Sequence, residues 1–294
     1  MIEDMYGVNY KHPKVYLLQE TGIGVAEFAG RTAYDSFDNS ENNAVKIVNQ
    51  YIDREDLEYY QYDDMINHLN LIPDSELLNQ LAWVHHHHSV IEHATLSFLI
   101  KGTSRGVLQE HARHRIQSLT VRSTRYTMNS ILNAYVSSMQ FNCVTDSIDW
   151  FVYKLCELDI LVTQSSEYNA IEYTTIYNKL SYQYKILGDE FINLAIAKSS
   201  ISFLDEELTA EELFSKLEGG KKKRNVGDAF KHIVTDNWKV DMVVTFNLRS
   251  LKNYFDLRDS GAAYFQIRWL AEAMKKVTPK KYLKLIDKKV KDEE

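Results

Sequence analysis

The chain has 294 residues, 26% of them charged, with a formal net charge of -7, so bulk affinity for nucleic acid or an anionic membrane is not expected. Only 11 glycines and 3 prolines interrupt it, which favours long helices over a many-stranded sandwich. Cys143 and Cys156 offer no disulfide framework or metal spacing, and no leader pattern opens the sequence; the expectation is a soluble protein of the reducing cytoplasm.

Residues 14–34 read as a strand, a glycine-containing turn, then a short helix or a second strand. The segment 35–64 is polar and acidic and reads as a surface helix with loops. Ser75 precedes Leu77, Leu78, Leu81 and Val84 at helical spacing and is the predicted N-cap. His85 to His88 are consecutive and point in different directions on any regular element, so no metal site is assigned to them. Ala94, Leu96, Phe98 and Ile100 alternate with polar residues, as in a half-buried strand. Gly102 to Ser104 then reads as a turn and N-cap for a helix through Arg105, Val107, Leu108 and Ala112.

The stretch Gln109–Tyr126 gathers Arg113, Arg115, Arg122 and Arg125 with His111, His114 and several hydroxyl residues. Arginine presents a planar fork of donors matched to phosphate or carboxylate. Several forks among hydroxyls suit a phosphorylated small molecule; the alternative is a charged helix face paired with acidic neighbours.

From Asp146 to about Ser199 the chain reads as mostly helical, with Ile171, Ile176, Leu180, Leu187, Ile192 and Ala195 as a core-facing stripe. Thr209–Glu212 resembles a capping box, and Gly219–Arg224 a solvated basic turn. Val240, Met242, Val244, Phe246 and Leu248 alternate as a second strand. Ser250 is expected to cap one long helix carrying Tyr254, Phe255, Ile267, Leu270 and Met274. Asn247, Arg249, Asn253 and Arg258 fall around that strand end and helix start, where a helix dipole favours anions. Residues 275–294 read as a charged, fraying tail. With no repeat or linker, the expected fold is α+β, a helix-rich single domain over residues 1–294 around a small, mainly antiparallel sheet.

Arg113-His114-Arg115, seven residues, then Ser123 and Arg125-Tyr126 resembles the signature of the flavin-dependent thymidylate synthases. His87-x-Ser89-x-x-Glu92-His93 and Asn247-x-Arg249-Ser250-Leu251-x-Asn253, then Leu257-Arg258, resemble two more of that family's blocks in the same order. The resemblance implies conversion of dUMP to dTMP. Methylenetetrahydrofolate would supply the carbon, FAD the redox chemistry, and NADPH the reducing equivalents. It also implies a homotetramer with active sites shared between subunits.

Position by position, the resemblance gives His87, Ser89, Glu92, Arg113, His114, Arg115, Val121, Asn247, Arg249 and Asn253 to FAD. It gives Glu110, Arg113, Val121, Arg122, Ser123, Thr124, Arg125, Lys231 and Arg258 to dUMP. Arg258, the catalytic candidate, matches the arginine that contacts uracil and favours ionisation at N3. Uracil C5 is a poor nucleophile, and other thymidylate synthases activate it by adding a cysteine thiolate from a Pro-Cys-His sequence. That sequence is absent. A guanidinium held against the ring can stabilise negative charge instead, and being always protonated it is no base.

The chain departs from the family pattern in several places. Glu110 stands where Gln is frequent, and its carboxylate would repel a nucleotide phosphate unless paired. Val121 replaces Glu or Gln, Lys231 an arginine, and Ala262 a histidine. The segments 35–64 and 200–225 read as family-variable additions. Rival readings are an Arg-rich nucleic-acid-binding module, against which the acidity stands, a metal hydrolase using His85–His88 and His93, and a flavin-binding homologue without synthase activity.

Overall fold

The computed structural model describes residues 13–51, 54, 58–157, 178, 181–182, 184–188, 236 and 238–292. The chain divides into two compact units. One comprises residues 12–103, 107–121 and 241–294; the other comprises 1–11, 104–106 and 122–240. Along the chain lie α1 (Gly24–Tyr34), α2 (Asn43–Tyr51), α3 (Tyr59–Asn70), α4 (Glu76–Trp83) and α5 (Arg105–His111). After them come α6 (Thr124–Ser138), α7 (Val144–Glu157), α8 (Leu248–Arg258), α9 (Phe265–Val277), α10 (Lys280–Ile286) and α11 (Lys288–Asp292).

The first unit is built on a sheet of β1 (Lys14–Glu20), β2 (Thr95–Ser104), β3 (Ser118–Val121) and β4 (Lys239–Asn247) in the order β1-β2-β4-β3. β1 runs antiparallel to β2 with Val15 opposite Ile100, and β3 antiparallel to β4 with Leu119 opposite Val244. The alternation read in the two central strands sets their faces. Leu96, Phe98, Ile100, Met242, Val244 and Phe246 are buried, while Ser97 and Thr245 share a hydroxyl hydrogen bond of 2.8 Å. The fold class is α+β, as expected.

β2 runs further than the alternation suggested. Gly102–Ser104 forms no turn: the strand continues to Ser104 and passes directly into α5. Gly102 sits at φ 79°, and its N–H donates to Asp241 Oδ1 at 2.9 Å. Glycine adopts this left-handed conformation without the steric cost of a Cβ.

The segment after β1 is a helix, not a strand. Glycines permit its close packing: a Cβ on Gly22 would lie 2.3 Å from Asn70 Cα, and one on Gly24 2.1 Å from the Leu69 carbonyl oxygen. The 35–64 segment is also more than surface. Val45 and Val48 of α2 enter the core, and fully buried Glu27 of α1 accepts hydrogen bonds from Ser40 Oγ and Asn42 Nδ2, each 2.5 Å. Arg31 Nε approaches the same carboxylate at 3.6 Å. Ser75 caps α4 as expected, its hydroxyl accepting from Leu78 N–H at 3.3 Å. Leu78 and Leu81 of that helix are buried, whereas Val84 lies past its end and is exposed.

Three C-terminal expectations need correction. Asn247, not Ser250, caps α8: its side chain accepts from Ser250 N–H at 2.8 Å. The long helix is two, α8 and α9, separated at 259–264, where Ser260 and Gly261 lower helical propensity. The described part of the tail is helical and docked on the core. Tyr282, Leu285 and Ile286 share one face of α10 at i, i+3 and i+4 and are buried in the core. Lys275 Nζ ties this region together, 2.5 Å from Asp259 Oδ2 and 2.6 Å from Asp287 Oδ2.

In the second unit α6 and α7 pack through buried Ile131, Leu132, Tyr135, Phe151 and Leu155. Trp150 Nε1–H donates to Ser137 Oγ at 3.1 Å. Leu187 is buried, as the helical stripe predicts. Ile171, Ile176, Leu180, Ile192 and Ala195, the Thr209–Glu212 box, the Gly219–Arg224 turn, the 200–225 segment and Lys231 lie outside the described residues.

Candidate active site

Two segments far apart in sequence build one cavity of the first unit. The turn after α5 brings Arg113, His114, Arg115 and Ile116; α8 brings Arg249, Ser250, Lys252, Asn253, Asp256, Leu257 and Arg258; His88 completes the lining. The cavity holds about 700 Å³. α8 presents its polar face because its other side is spent on the core: Leu248, Leu251, Tyr254 and Phe255 are buried.

Arg258 closes the last turn of α8 onto α5. Its Nε donates to His114 Nε2 at 2.9 Å, Nη1 to Glu110 Oε2 at 2.8 Å, and Nη2 to the Glu110 carbonyl at 3.1 Å. Arg113 Nη1 lies 3.4 Å from the same carboxylate. Glu110 is thus paired, which removes the repulsion expected of a bare carboxylate at this position. Because His114 Nε2 accepts, the proton of its neutral ring is on Nδ1. Burial, then the charges of Arg258 and Arg113, lower the His114 pKa to about 4, with Glu110 opposing them.

An aromatic wall stands behind. His114 meets the Tyr254 ring edge-on at 4.7 Å, and His111 meets Tyr254 at 5.1 Å and Phe246 at 5.7 Å. His111 is fully buried, with Nδ1 3.1 Å from the Tyr254 hydroxyl. Burial chiefly, helped by His114, lowers its pKa to about 3. Burial likewise raises Tyr254. Of these rings only His114 lines the cavity, with the buried His111, Tyr254 and Phe246 packed behind it. A neutral imidazole thus stands beside the guanidiniums, which suit an anionic ligand.

Of the residues singled out in the sequence, Arg113, His114, Arg115, Arg249, Asn253 and Arg258 share the cavity. Glu92 reaches it indirectly, as Arg249 Nη1 lies 2.5 Å from Glu92 Oε1. Asn247 spends its side-chain oxygen on the α8 cap. His87 is exposed, its Nδ1 3.0 Å from the Tyr34 hydroxyl. Ser89 is exposed at the start of the 3-10 turn Val90–His93. Val121 ends β3 opposite Met242. Arg122, Ser123, Thr124 and Arg125 belong to the second unit, where Arg122 is exposed and Thr124 is buried.

Lys252 and Asp256 line the cavity without having been singled out, and His88, considered only among the consecutive histidines of a metal reading, lines it too. Lys252 Nζ pairs with Asp256 at 2.7 Å and lies 5.3 Å from the centre of the Trp83 ring. The signal was available: positions 249, 252, 253 and 256 fall on one helical face.

The chain is similar in sequence and in fold to known proteins. The flavin-dependent thymidylate synthase of Wolinella succinogenes is 26% identical over 268 residues, covering 91% of this chain and 94% of that protein. That of Campylobacter jejuni is 25% identical over 269 residues, covering 92% and 93%. In fold the chain is similar to thymidylate synthase X of Helicobacter pylori, solved with FAD and dUMP, at a TM-score of 0.57 and 21% identity. That likeness covers 95% of this chain and 99% of the other. The sequence pattern of the thymidylate synthase complementing protein family matches residues 17–282, and the chain belongs to that family.

Proposed function

We propose that the chain is a flavin-dependent thymidylate synthase that converts dUMP to dTMP. The observation that carries this reading is the convergence of Arg113, His114, Arg115, Arg249, Asn253 and Arg258 on one cavity. Its volume lies in the usual range for a ligand site, roughly 300–1,000 Å³. Its guanidiniums, with the neutral His114 beside them, fit a flavin dinucleotide, whose pyrophosphate needs such forks.

In this reading Arg113, Arg115 and Arg249 hold the pyrophosphate, Asn253 donates to the cofactor, and His114 stays neutral. Ser89, His87, Glu92, Val121 and Asn247 complete the cofactor's surroundings. Bound FAD supplies the hydride chemistry. Arg258 faces the pyrimidine and stabilises negative charge on it without acting as a base. Methylenetetrahydrofolate delivers the carbon and NADPH the reducing equivalents. Arg122, Ser123, Thr124, Arg125 and Lys231 bind dUMP across a subunit boundary of a homotetramer. Residues 1–294 serve this one activity, in the cytoplasm.

One observation favours a second reading. A carboxylate 2.8 Å from Arg258 offsets the charge that the mechanism uses, as in a flavin-binding homologue that has lost synthase activity. Purified protein incubated with dUMP, methylenetetrahydrofolate, NADPH and FAD decides between them. Formation of dTMP is expected, together with quenching of flavin fluorescence on titration. Folded protein that binds no FAD would overturn both readings; binding without dTMP would leave the second. Arg258→Ala is expected to abolish turnover while FAD remains bound.

A further inference from the structure

We propose that Glu110 is a positioning residue that acts through Arg258, seating the guanidinium for the pyrimidine rather than touching the nucleotide. The inference rests on the synthase reading above and departs from the dUMP-contact role that the resemblance implies for this position.

Arg258 carries five N–H donors, and residues 110–114 take three of them. Glu110 supplies two acceptors from one residue, its carboxylate to Nη1 at 2.8 Å and its carbonyl to Nη2 at 3.1 Å. His114 Nε2 takes the Nε donor at 2.9 Å. The plane of the guanidinium is fixed by these contacts, and one N–H on each terminal nitrogen remains for a ligand. Arg258 is mostly buried, its side chain 14% exposed, whereas that of Glu110 is 32% exposed. Arg113 reaches the same carboxylate only at 3.4 Å and is largely exposed, so the shorter pairing is with Arg258. A side chain already engaged this way orients another group, and loss of orientation is expressed in turnover more than in binding.

The holoenzyme with Glu110→Ala and Glu110→Gln tests this, with kcat, KM for dUMP, the FAD dissociation constant and thermal stability measured for each. Affinities for dUMP and deoxyuridine are compared in the same proteins. Glu110→Ala is expected to lower kcat about 10-fold or more with FAD affinity unchanged. The ratio of dUMP to deoxyuridine affinity should also stay constant, because the altered group acts on the base. Glu110→Gln keeps an acceptor for Nη1 and is expected to recover most of the loss in kcat. Wild-type turnover in Glu110→Ala would overturn the inference. So would a changed dUMP-to-deoxyuridine ratio, which marks a phosphate contact, or loss of FAD from the folded variant. If Glu110→Ala fails to fold, Glu110→Gln decides by the same affinity ratio. Wild-type protein that makes no dTMP would instead remove the synthase reading itself.

Discussion

Arg249 Nη1 and Glu92 Oε1 lie 2.5 Å apart, joining the first turn of α8 to the turn Val90–His93 across 157 positions of sequence. Both side chains are partly exposed, 55% and 38%, so the pair itself adds at most about 1 kcal/mol to stability. Its effect is to aim Arg249 into the cavity. Glu92→Ala should leave the melting temperature nearly unchanged and weaken FAD binding about fivefold. Equal FAD affinity in flavin titrations would show that Arg249 needs no such guide.

Asn247 separates capping from ligand binding. Its oxygen accepts from Ser250 N–H, which leaves only the amide N–H₂ to donate. Asn247→Asp retains the cap and is expected to keep wild-type stability, yet its added charge opposes an anionic ligand, so FAD affinity should fall. Asn247→Ala should lose both, with a stability cost of about 1 kcal/mol. Urea unfolding beside flavin titration separates the two effects.

Lys275 lies between Asp259 and Asp287 with its side chain 18% exposed. Burial lowers its pKa, but hydrogen bonds and charge from the two carboxylates outweigh this and the net shift is upward. Lys275→Met leaves two carboxylates facing each other, and a loss of about 3 kcal/mol is expected. A lysine raised in the folded state stabilises fully below its unfolded pKa and loses the contribution as pH rises through the folded value. The gap between variant and wild type in urea midpoints should therefore be full at neutral pH and shrink in the alkaline range.

His111 makes the fold sensitive to acid. Its pKa is about 3 when folded against the ordinary histidine value of 6.5, so below 6.5 the unfolded chain takes up a proton that the folded one refuses. Stability is whole above that pH and declines as pH falls toward 3. Between pH 7.5 and 5.0 this residue accounts for a decline of about 2 kcal/mol. His111→Gln, which keeps a partner for the Tyr254 hydroxyl, should show a decline smaller by about that amount. An unchanged decline in urea unfolding at the two pH values would assign the sensitivity to other groups.

The sheet was legible because alternation in β2 and β4 is a direct image of one buried face. The Ser75 cap was legible for the same local reason. What escaped depends on tertiary contact. Nothing within the 35–64 segment announces that Val45 and Val48 are covered by other elements. The lysines around Tyr282, Leu285 and Ile286 hide a three-residue apolar face that only packing makes decisive. Both Asn247 and Ser250 are capping residues by type, and only backbone geometry chose between them. In the cavity, arginines and asparagine stood out by chemistry and by resemblance. Lys252 and Asp256 did not, since an i, i+4 ion pair on a helix usually marks an exposed face.

Glu27 bears on how far the molecule can be trimmed. Its carboxylate has no exposure to solvent, and two of its hydrogen-bond donors, Ser40 and Asn42, come from the polar stretch after α1. Excising that stretch to obtain a minimal enzyme would strand a charge in the interior, and Arg31 at 3.6 Å would remain as a distant partner. A shortened chain would have to be redesigned at position 27 in the same step, with an apolar residue matched to the volume left behind.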